Sequence, residues 1–251
     1  MRKLITYLSY LYEYAKYGDF ISVYAACRYV IQKKTHSSDR IIKTDLGTFF
    51  VRAGTNDMQY ANPQYERNIR LLAKSYITDG YSMVLDIGAC IGEFSIYCAK
   101  EGAEVFAFEP MESNRAVLQK NLELNQVKGT VFPIGLGRET EQIQMNFDSV
   151  NTGASGISKS PQNPKSVDVS TLDDVFEKNE SQHVLIKIDA EGMEIDILKG
   201  GRVFIQAAEE VAIILEDKFL DNAVLKATLH DLLPDHQIQR IDDYNILICK
   251  A

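Results

Sequence analysis

The stretch VLDIGACIGEF, residues 84–94, decides how this chain folds. An apolar run leads through Val84-Leu85 to an acid, Asp86, and Gly88 and Gly92 then bracket a short turn. A helical pattern starts at Glu93. A strand, a tight glycine turn and a helix in this order open a doubly wound α/β sheet, whose ligands sit beyond the carboxyl ends of the strands. A dinucleotide's pyrophosphate asks for glycines at 88, 90 and 93, where bare backbone meets the phosphates. Cys90 and Glu93 occupy two of those places. Two glycines still let the backbone approach a ligand closely. The acid beside them favours a ligand with a positive centre and no phosphates.

Strand and helix patterns alternate beyond this turn. Met83–Ile87 reads as a strand, Glu93–Lys100 as a helix, Glu104–Phe108 as a strand, Glu112–Asn125 as a helix and 130–134 as a strand. A less regular region, 138–170, holds the small-residue loop NTGASGIS and a Ser/Pro/Asn stretch at 158–166. Then come a helix at 171–178, a strand at 184–188, a helix at 194–199, a strand at 211–215 and a helix at 221–232. Strands at 236–241 and 245–250 close the chain as an antiparallel hairpin on one edge. Short, β-branched strands suit burial on both faces. The prediction is a doubly wound, mostly parallel, seven-stranded sheet.

Upstream, RIIKTDLGTFFVRAG (40–54) alternates around Leu46-Gly47 as a hairpin would, and 63–77 is helical. Residues 1–38 form an N-terminal helical extension to a main domain at 39–251. Leu4, Leu8, Leu11 and Ala15 fall at helical spacing, Gly18 breaks the run, and a second begins at Ile21. A helical cap packed on the main domain explains this. A homodimer contact, or a peripheral helix pair lying on the inner membrane face, remain as alternatives, since tyrosines and lysines suit an interface.

The formal net charge of −8 gives no field that attracts nucleic acid, so no nucleic acid partner is expected. Cys27, Cys90, Cys98 and Cys249 form no CxxC pair and no metal-ligand spacing, and read as reduced thiols of a cytoplasmic protein. No stretch reaches 18 apolar residues, and the N-terminus lacks the apolar core and cleavage site of a signal peptide.

Acids mark the ends of four strands: Asp86, Glu109 before Pro110, Asp189-Ala190-Glu191-Gly192, and Glu216-Asp217. Glu109, about twenty residues past the turn, stands where an acid accepts hydrogen bonds from ribose hydroxyls. An adenosine that carries a cation and no phosphate is S-adenosyl-L-methionine.

The segments VLDIGACIGEFSIYCAK, VFAFEPMESNRAVLQKNLELN, VSTLDDVF and LIKIDAEGMEIDILKGG, in this order, resemble the FkbM-type group of class I methyltransferases. FFVRAGTNDMQY is similar to that family's Arg-x-Gly-Thr-x-Asp segment, and AIILED sits where its last core strand ends. The resemblance covers about residues 45–217. Cys90 stands where Asn is usual and Ala53 where Pro is usual. It implies a Rossmann-like class I methyltransferase fold and an S-adenosylmethionine-dependent O-methyltransferase. The acceptor would be a hydroxyl of a sugar, a polysaccharide precursor or a small metabolite. Carried over by position, Asp86, Gly88, Cys90 and Gly92 wrap the methionine half of the cofactor. Glu109, with Pro110, takes the ribose hydroxyls, Asn114 lies on the adjacent helix start, and Gly135 borders the adenine. Thr55 and Asp57 close over the cofactor from outside the sheet.

Methyl transfer to a hydroxyl is helped by a base within hydrogen-bond reach. No histidine falls among these motifs, so Asp189 and Glu191 are the candidates, with Glu216 as a third that also borders the acceptor. Another pair of roles stays open: Asp189 holds the methionine amine, and Glu191 caps the helix beginning near Gly192. A divalent cation bridging Asp189, Glu191 and Glu216 is a further option, although no metal is expected. Glu194 and Asp196 read as solvated helix positions, and Asp173 and Asp174 as helix N-terminal charges. Ser155, in the small-residue loop, is placed against the acceptor. A nicotinamide dehydrogenase fails at Cys90 and Glu93. A nucleic-acid or protein methyltransferase would share the cofactor site, as would a non-catalytic S-adenosylmethionine-binding protein. The acidic charge, and the lack of an Asn/Asp-Pro-Pro-aromatic tetrapeptide, count against action on bases.

Overall fold

The short apolar runs lie side by side in the computed structural model, which describes residues 2–154, 156–157, 164–176, 183–218 and 220–250. Helices α1 (Arg2–Lys16) and α2 (Phe20–Gln32) precede a hairpin of β1 (Arg40–Thr44) and β2 (Gly47–Val51). A single turn of helix, α3 (Asp57–Tyr60), and then α4 (Arg67–Thr78) lead into β3 (Met83–Ile87), α5 (Glu93–Lys100), β4 (Glu104–Phe108), α6 (Glu112–Asn125) and β5 (Thr130–Phe132). Next come β6 (Gly135–Leu136), β7 (Glu141–Asn146), β8 (Gly156–Ile157), β9 (Pro164–Ser170) and the short α7 (Leu172–Val175). The chain ends through β10 (His183–Ile188), α8 (Glu194–Gly200), α9 (Arg202–Ala207), β11 (Glu210–Glu216), α10 (Asn222–Leu232), β12 (His236–Arg240) and β13 (Asn245–Lys250).

Among the described residues the main sheet has seven strands in the order β12-β13-β11-β10-β3-β4-β5. The five strands from β11 to β5 run parallel, and β13 alone runs against the other six. The terminal hairpin therefore turns back inside itself: β13 pairs with β11, and β12 becomes the edge. Chain direction across the sheet reverses between β3 and β10, which are neighbours. A reversal of this kind leaves a crevice at the strand ends.

Period-two alternation sends the two faces of each strand into different cores. Leu85, Ile186 and Ile213 pack with Ile197, Phe204 and Leu229 of α8, α9 and α10. Val84, Leu185 and Ile214 face the other way, onto Ile69 and Ala73 of α4 and Phe94 of α5. Asp86 and Lys187 are register partners on this second face, so the same alternation buries both.

The structure departs from the sequence-based expectation in several places, the unpredicted helices α3 and α9 among them. Strand β5 stops at Phe132, because Pro133 has no N–H to continue the ladder. Helix α4 begins at Arg67, not 63, since Asn62 accepts the backbone N–H groups of Gln64 and Tyr65 in a preceding turn. Helix α7 spans Leu172–Val175, Phe176 is already extended, and 177–178 lie outside the described residues. The region 138–170 is more ordered than expected: β6, β9, β7 and β8 form a second sheet. Its signal is weak because each strand buries only one or two apolar residues, Met145 on β7 and Val167 and Val169 on β9. Those three close a small core with Met111, over one end of the crevice.

The two N-terminal helices are fastened to the rest. Gly18 adopts φ +71°, and Asp19 caps α2 by accepting the Ser22 N–H at 3.0 Å. Asp19 also pairs with Arg40 at 2.6 Å, Glu13 accepts the Asp45 N–H at 2.7 Å, and the Tyr14 hydroxyl donates to the Met58 carbonyl at 2.5 Å.

Candidate functional site

The glycine turn after β3 is built by backbone constraints. Gly88 takes φ +89°, and the N–H groups of Gly88 and Ala89 both donate to the Phe108 carbonyl at 3.1 Å. A Cβ on Gly88 would lie 1.9 Å from the Asp189 carbonyl oxygen, so this glycine allows β3 and β10 to end in contact. Gly88→Ala is expected to cost at least ~2 kcal/mol of stability, read from the urea unfolding midpoint. Cys90 follows with φ +46°, left-handed backbone in which Asn is enriched over most residues. That conformation accounts for the Asn usual at this place in the family it resembles.

Glu109, at the end of β4, is 4% exposed. Its two oxygens accept the Cys90 N–H at 2.9 Å and the Met111 N–H at 2.8 Å. Burial pushes its pKa up to about 7, against the pull of those N–H groups. The Asn114 side chain also bonds this carboxylate, whose remaining lone pairs are open to a ligand. Gly88, Cys90, Glu109, Pro110, Asn114, Gly135 and Asp189 all line one crevice. The lining contains two carboxylates and no lysine or arginine, which fits a cationic ligand and opposes a phosphate. These donors suit S-adenosylmethionine: Glu109 for the ribose hydroxyls, Gly135 and Pro110 beside a ring, and Asp189 for a positive centre.

Four residues expected at the cofactor lie elsewhere. Asp86 is buried beneath the turn, where it accepts the Ser95 hydroxyl at 2.5 Å, and Gly92 packs on Leu118. Asp57 is fully buried and takes Arg52 through Nε at 2.8 Å and a terminal nitrogen at 2.9 Å. Thr55 accepts the Asp57 N–H and lines a different cavity. Arg52 and Thr152 are functional-site residues that the sequence reading missed. Arg52 reaches the Asn114 side chain at 3.0 Å, and Thr152 donates to Asp57 at 3.0 Å while its carbonyl accepts from Asn114, also at 3.0 Å. The FFVRAGTNDMQY motif carried the signal for Arg52; Thr152 had none beyond its small-residue loop. Together with the Gly153 N–H on the Tyr60 hydroxyl at 3.1 Å, these bonds hold a short 3₁₀ turn, Thr152–Ala154, over the crevice. The space beneath it is about 60 Å³, well under that of a small-molecule pocket. Ser155 lies outside the described residues.

Asp189, Glu191 and Glu216 come together at the ends of β10 and β11, with one oxygen of each within 4.8 Å of the others. Lys187 holds Asp189 at 3.0 Å from below. Burial, then the charges of Asp189 and Glu191, push Glu216 up to about 8; burial and Asp189 raise Glu191 as well. Three half-buried carboxylates so close can share a proton or take a hard divalent cation. Glu191 does not cap α8. Glu194, the first residue of α8, accepts the N–H groups of Ala190 at 3.2 Å and Gly192 at 3.1 Å in the loop before the helix, and it is 1% exposed instead of solvated. It fixes the backbone that presents Asp189 and Glu191. Asp173 likewise accepts the N–H groups of Val203 and Phe204 at the start of α9, not of its own helix.

A model of the methyltransferase FkbM domain matches residues 86–243. The chain belongs to the FkbM methyltransferase family. This FkbM-family chain is 27% identical over 175 residues to methyltransferase 1 of the fungus Beauveria bassiana, covering 56% of this chain and 70% of that protein. It is 30% identical over 134 residues to the hexuronic acid methyltransferase AglP of Haloferax volcanii, covering 53% of this chain and 54% of AglP. The FkbM chain thus spans little more than half of the archaeal relative's length. A Thermus thermophilus 16S rRNA methyltransferase, solved with AdoMet and guanosine, superposes with TM-score 0.50 over 85% of this chain and 51% of its own, at 16% identity. At that identity the likeness establishes the fold alone, a class I methyltransferase architecture.

Proposed function

We propose that this FkbM-family methyltransferase transfers the methyl group of S-adenosylmethionine to a hydroxyl of a sugar-containing or small-metabolite acceptor. The carboxylate trio at the ends of β10 and β11, beside a crevice lined without basic groups, carries this reading. A relative that acts on a hexuronic acid supports a sugar acceptor.

The cofactor supplies an activated carbon on a sulfonium, so the protein has to align, exclude water and remove a proton. Glu109 holds the ribose hydroxyls, and the Gly88–Cys90 backbone closes on the rest of the ligand. The Thr152–Ala154 turn covers the crevice and keeps water out. Lys187 holds Asp189 at 3.0 Å, facing the positive centre. The Glu191–Glu216 pair then takes up the one proton that the acceptor's hydroxyl releases, shared between its carboxylates. A carboxylate raised to about 8 by burial and by its neighbours is a competent base near neutral pH.

Transfer of labelled methyl from S-adenosylmethionine to a panel of glycans, nucleotide sugars and hydroxylated metabolites tests the reading, with tRNA as a comparison acceptor. Glu191→Gln and Glu216→Gln are each expected to lower kcat by roughly 10²–10⁴-fold, with cofactor Kd within threefold of the parent. Wild-type turnover in both variants, or labelling of tRNA alone, would refute the proposal.

A further inference from the structure

The described residues enclose a second cavity besides the cofactor crevice. It lies between the N-terminal helices and the Thr55–Gln59 segment, and encloses about 590 Å³, within the range of a small-molecule pocket. Tyr10, Leu11 and Tyr14 of α1, Ala26 and Val30 of α2, and Met58 of α3 supply most of its wall. Asn56 is the partition between the two spaces. It lines the large cavity, and its side chain accepts the N–H of Thr152, which lines the crevice, at 3.2 Å. His36 is also in the wall; it is 7% exposed, and its Nε2 is buried without a hydrogen-bond partner.

The outer surface of the same helices has a distinct character. Of seventeen large hydrophobic side chains exposed among the described residues, ten fall between Tyr7 and Ile31; Tyr7, Tyr29, Val30 and Ile31 sit at the cavity, and Leu8, Tyr12, Tyr17, Phe20, Ile21 and Tyr24 lie outside it, with Phe20 at 70% exposure. Residues 2–34 carry Arg2, Lys3, Lys16, Arg28, Lys33 and Lys34 against Glu13 and Asp19, a net +4 in a chain of −8. Exposed apolar side chains with basic residues among them match the surface of an anionic bilayer, which both terms attract. No helix of the described residues is long and apolar enough to cross one.

We infer that the acceptor is a lipid-linked molecule: the α1–α2 pair rests on an anionic membrane, and the cavity behind it receives the acceptor's hydrocarbon chain while the polar head reaches the carboxylate trio. This rests on the hydroxyl-acceptor reading above and specifies its substrate class. A chain in the cavity would bury apolar surface on both sides. The Asn56 partition places the head group's route next to the Thr152 turn. A polar group near the linkage would also satisfy His36 Nε2.

Two measurements that need no methyl transfer test the inference on the full chain. The first is binding of cis-parinaric acid, a fluorescent hydrocarbon-chain probe. Saturable binding is expected, weakened at least ~10-fold in Ala26→Trp and in Met58→Trp, which fill the cavity from different elements. S-adenosylmethionine affinity in those variants serves as the check on folding. The second is co-sedimentation with vesicles of phosphatidylcholine containing 30% phosphatidylglycerol, compared with phosphatidylcholine alone. Binding is expected to the anionic vesicles, and Lys33→Glu with Lys34→Glu is expected to weaken it on the order of 10-fold or more. Absence of saturable probe binding, probe binding unaffected by the two filling variants, or equal indifference to both vesicles would overturn the inference. A stable dimer that buries Tyr24 and Ile31 and abolishes vesicle binding would overturn it too. Each of these failures would leave methyl transfer to soluble hydroxyl acceptors intact. Loss of that transfer, with probe and vesicle binding preserved, would instead sink the acceptor reading.

Discussion

Replacing Glu109 with Ala is expected to weaken S-adenosylmethionine binding on the order of 100-fold, about 3 kcal/mol, measured by titration calorimetry. A buried carboxylate that accepts two ribose hydroxyls contributes through charge-assisted hydrogen bonds, among the strongest polar contacts in a protein. The substitution also orphans the Cys90 and Met111 N–H groups, which shape the turn on either side of the ligand. Glu109→Gln keeps the shape, but its amide nitrogen must face one of those two donors, so it too binds poorly. The wild-type protein should show a matching pH dependence. With its pKa pushed up to about 7, Glu109 is a carboxylate above that pH and a neutral acid below it. Cofactor affinity therefore falls as pH drops from 8 to 6, and this slope is absent in Glu109→Ala. Pockets of the dinucleotide type, with phosphate as the main anchor, have no reason to behave this way.

Lys187→Met is expected to lower stability by about 3–5 kcal/mol, the usual cost of removing one partner from a buried ionic cluster. At about 2–4 °C per kcal/mol for a chain of this size, that is a fall of roughly 10 °C in Tm. Lys187 is 4% exposed and lies 3.0 Å from Asp189 and 3.7 Å from Glu66. Asp86 and Glu93 also act on it as nearby charges. Without the ammonium these acids have no buried cation so close to them all. The sign of the pH effect follows from Glu93, whose pKa burial raises from 4.5 to about 8. The folded state holds its proton longer than the unfolded chain does, so its stabilising contribution is complete below about pH 4.5 and is lost as pH rises through 8. The Lys187→Met defect is accordingly largest at pH 9 and smaller at pH 5, where protonation replaces the missing cation. A uniform loss across that range, seen by differential scanning fluorimetry, would mean that packing of the lysine stem and not its charge is what matters.

The alternation of strand and helix between 83 and 125 could be read residue by residue. All four elements from β3 to α6 begin and end where the pattern places them. Each is bounded by local chemistry: a glycine turn, a proline at 110, a change of period from two to 3.6. The β6–β9 sheet was not legible, because β6 and β8 are two residues long, and β6 finds its partner, β9, 34 residues further along the chain. Pairing at that distance leaves no local mark. The same limit explains Glu194. Its type and position suit a solvated helix face, and only the bend of the backbone after β10 folds it under the Ala190 and Gly192 N–H groups.

By itself the sequence determined the parallel sheet, the family and the acid at 109, since these depend on periodicity, turn chemistry and spacing within a few tens of residues. The fold decided which acids face a ligand and which hold the scaffold. Asp86 looked like a cofactor residue because it precedes the turn, yet alternation along β3 turns it to the face where Lys187 waits. Glu216 is a third candidate base on sequence grounds, and it reaches Asp189 and Glu191 because β11 lies beside β10. Charges that far apart in the chain meet only when strands pair. The dielectric that sets their proton affinities exists only once the surrounding side chains have excluded water.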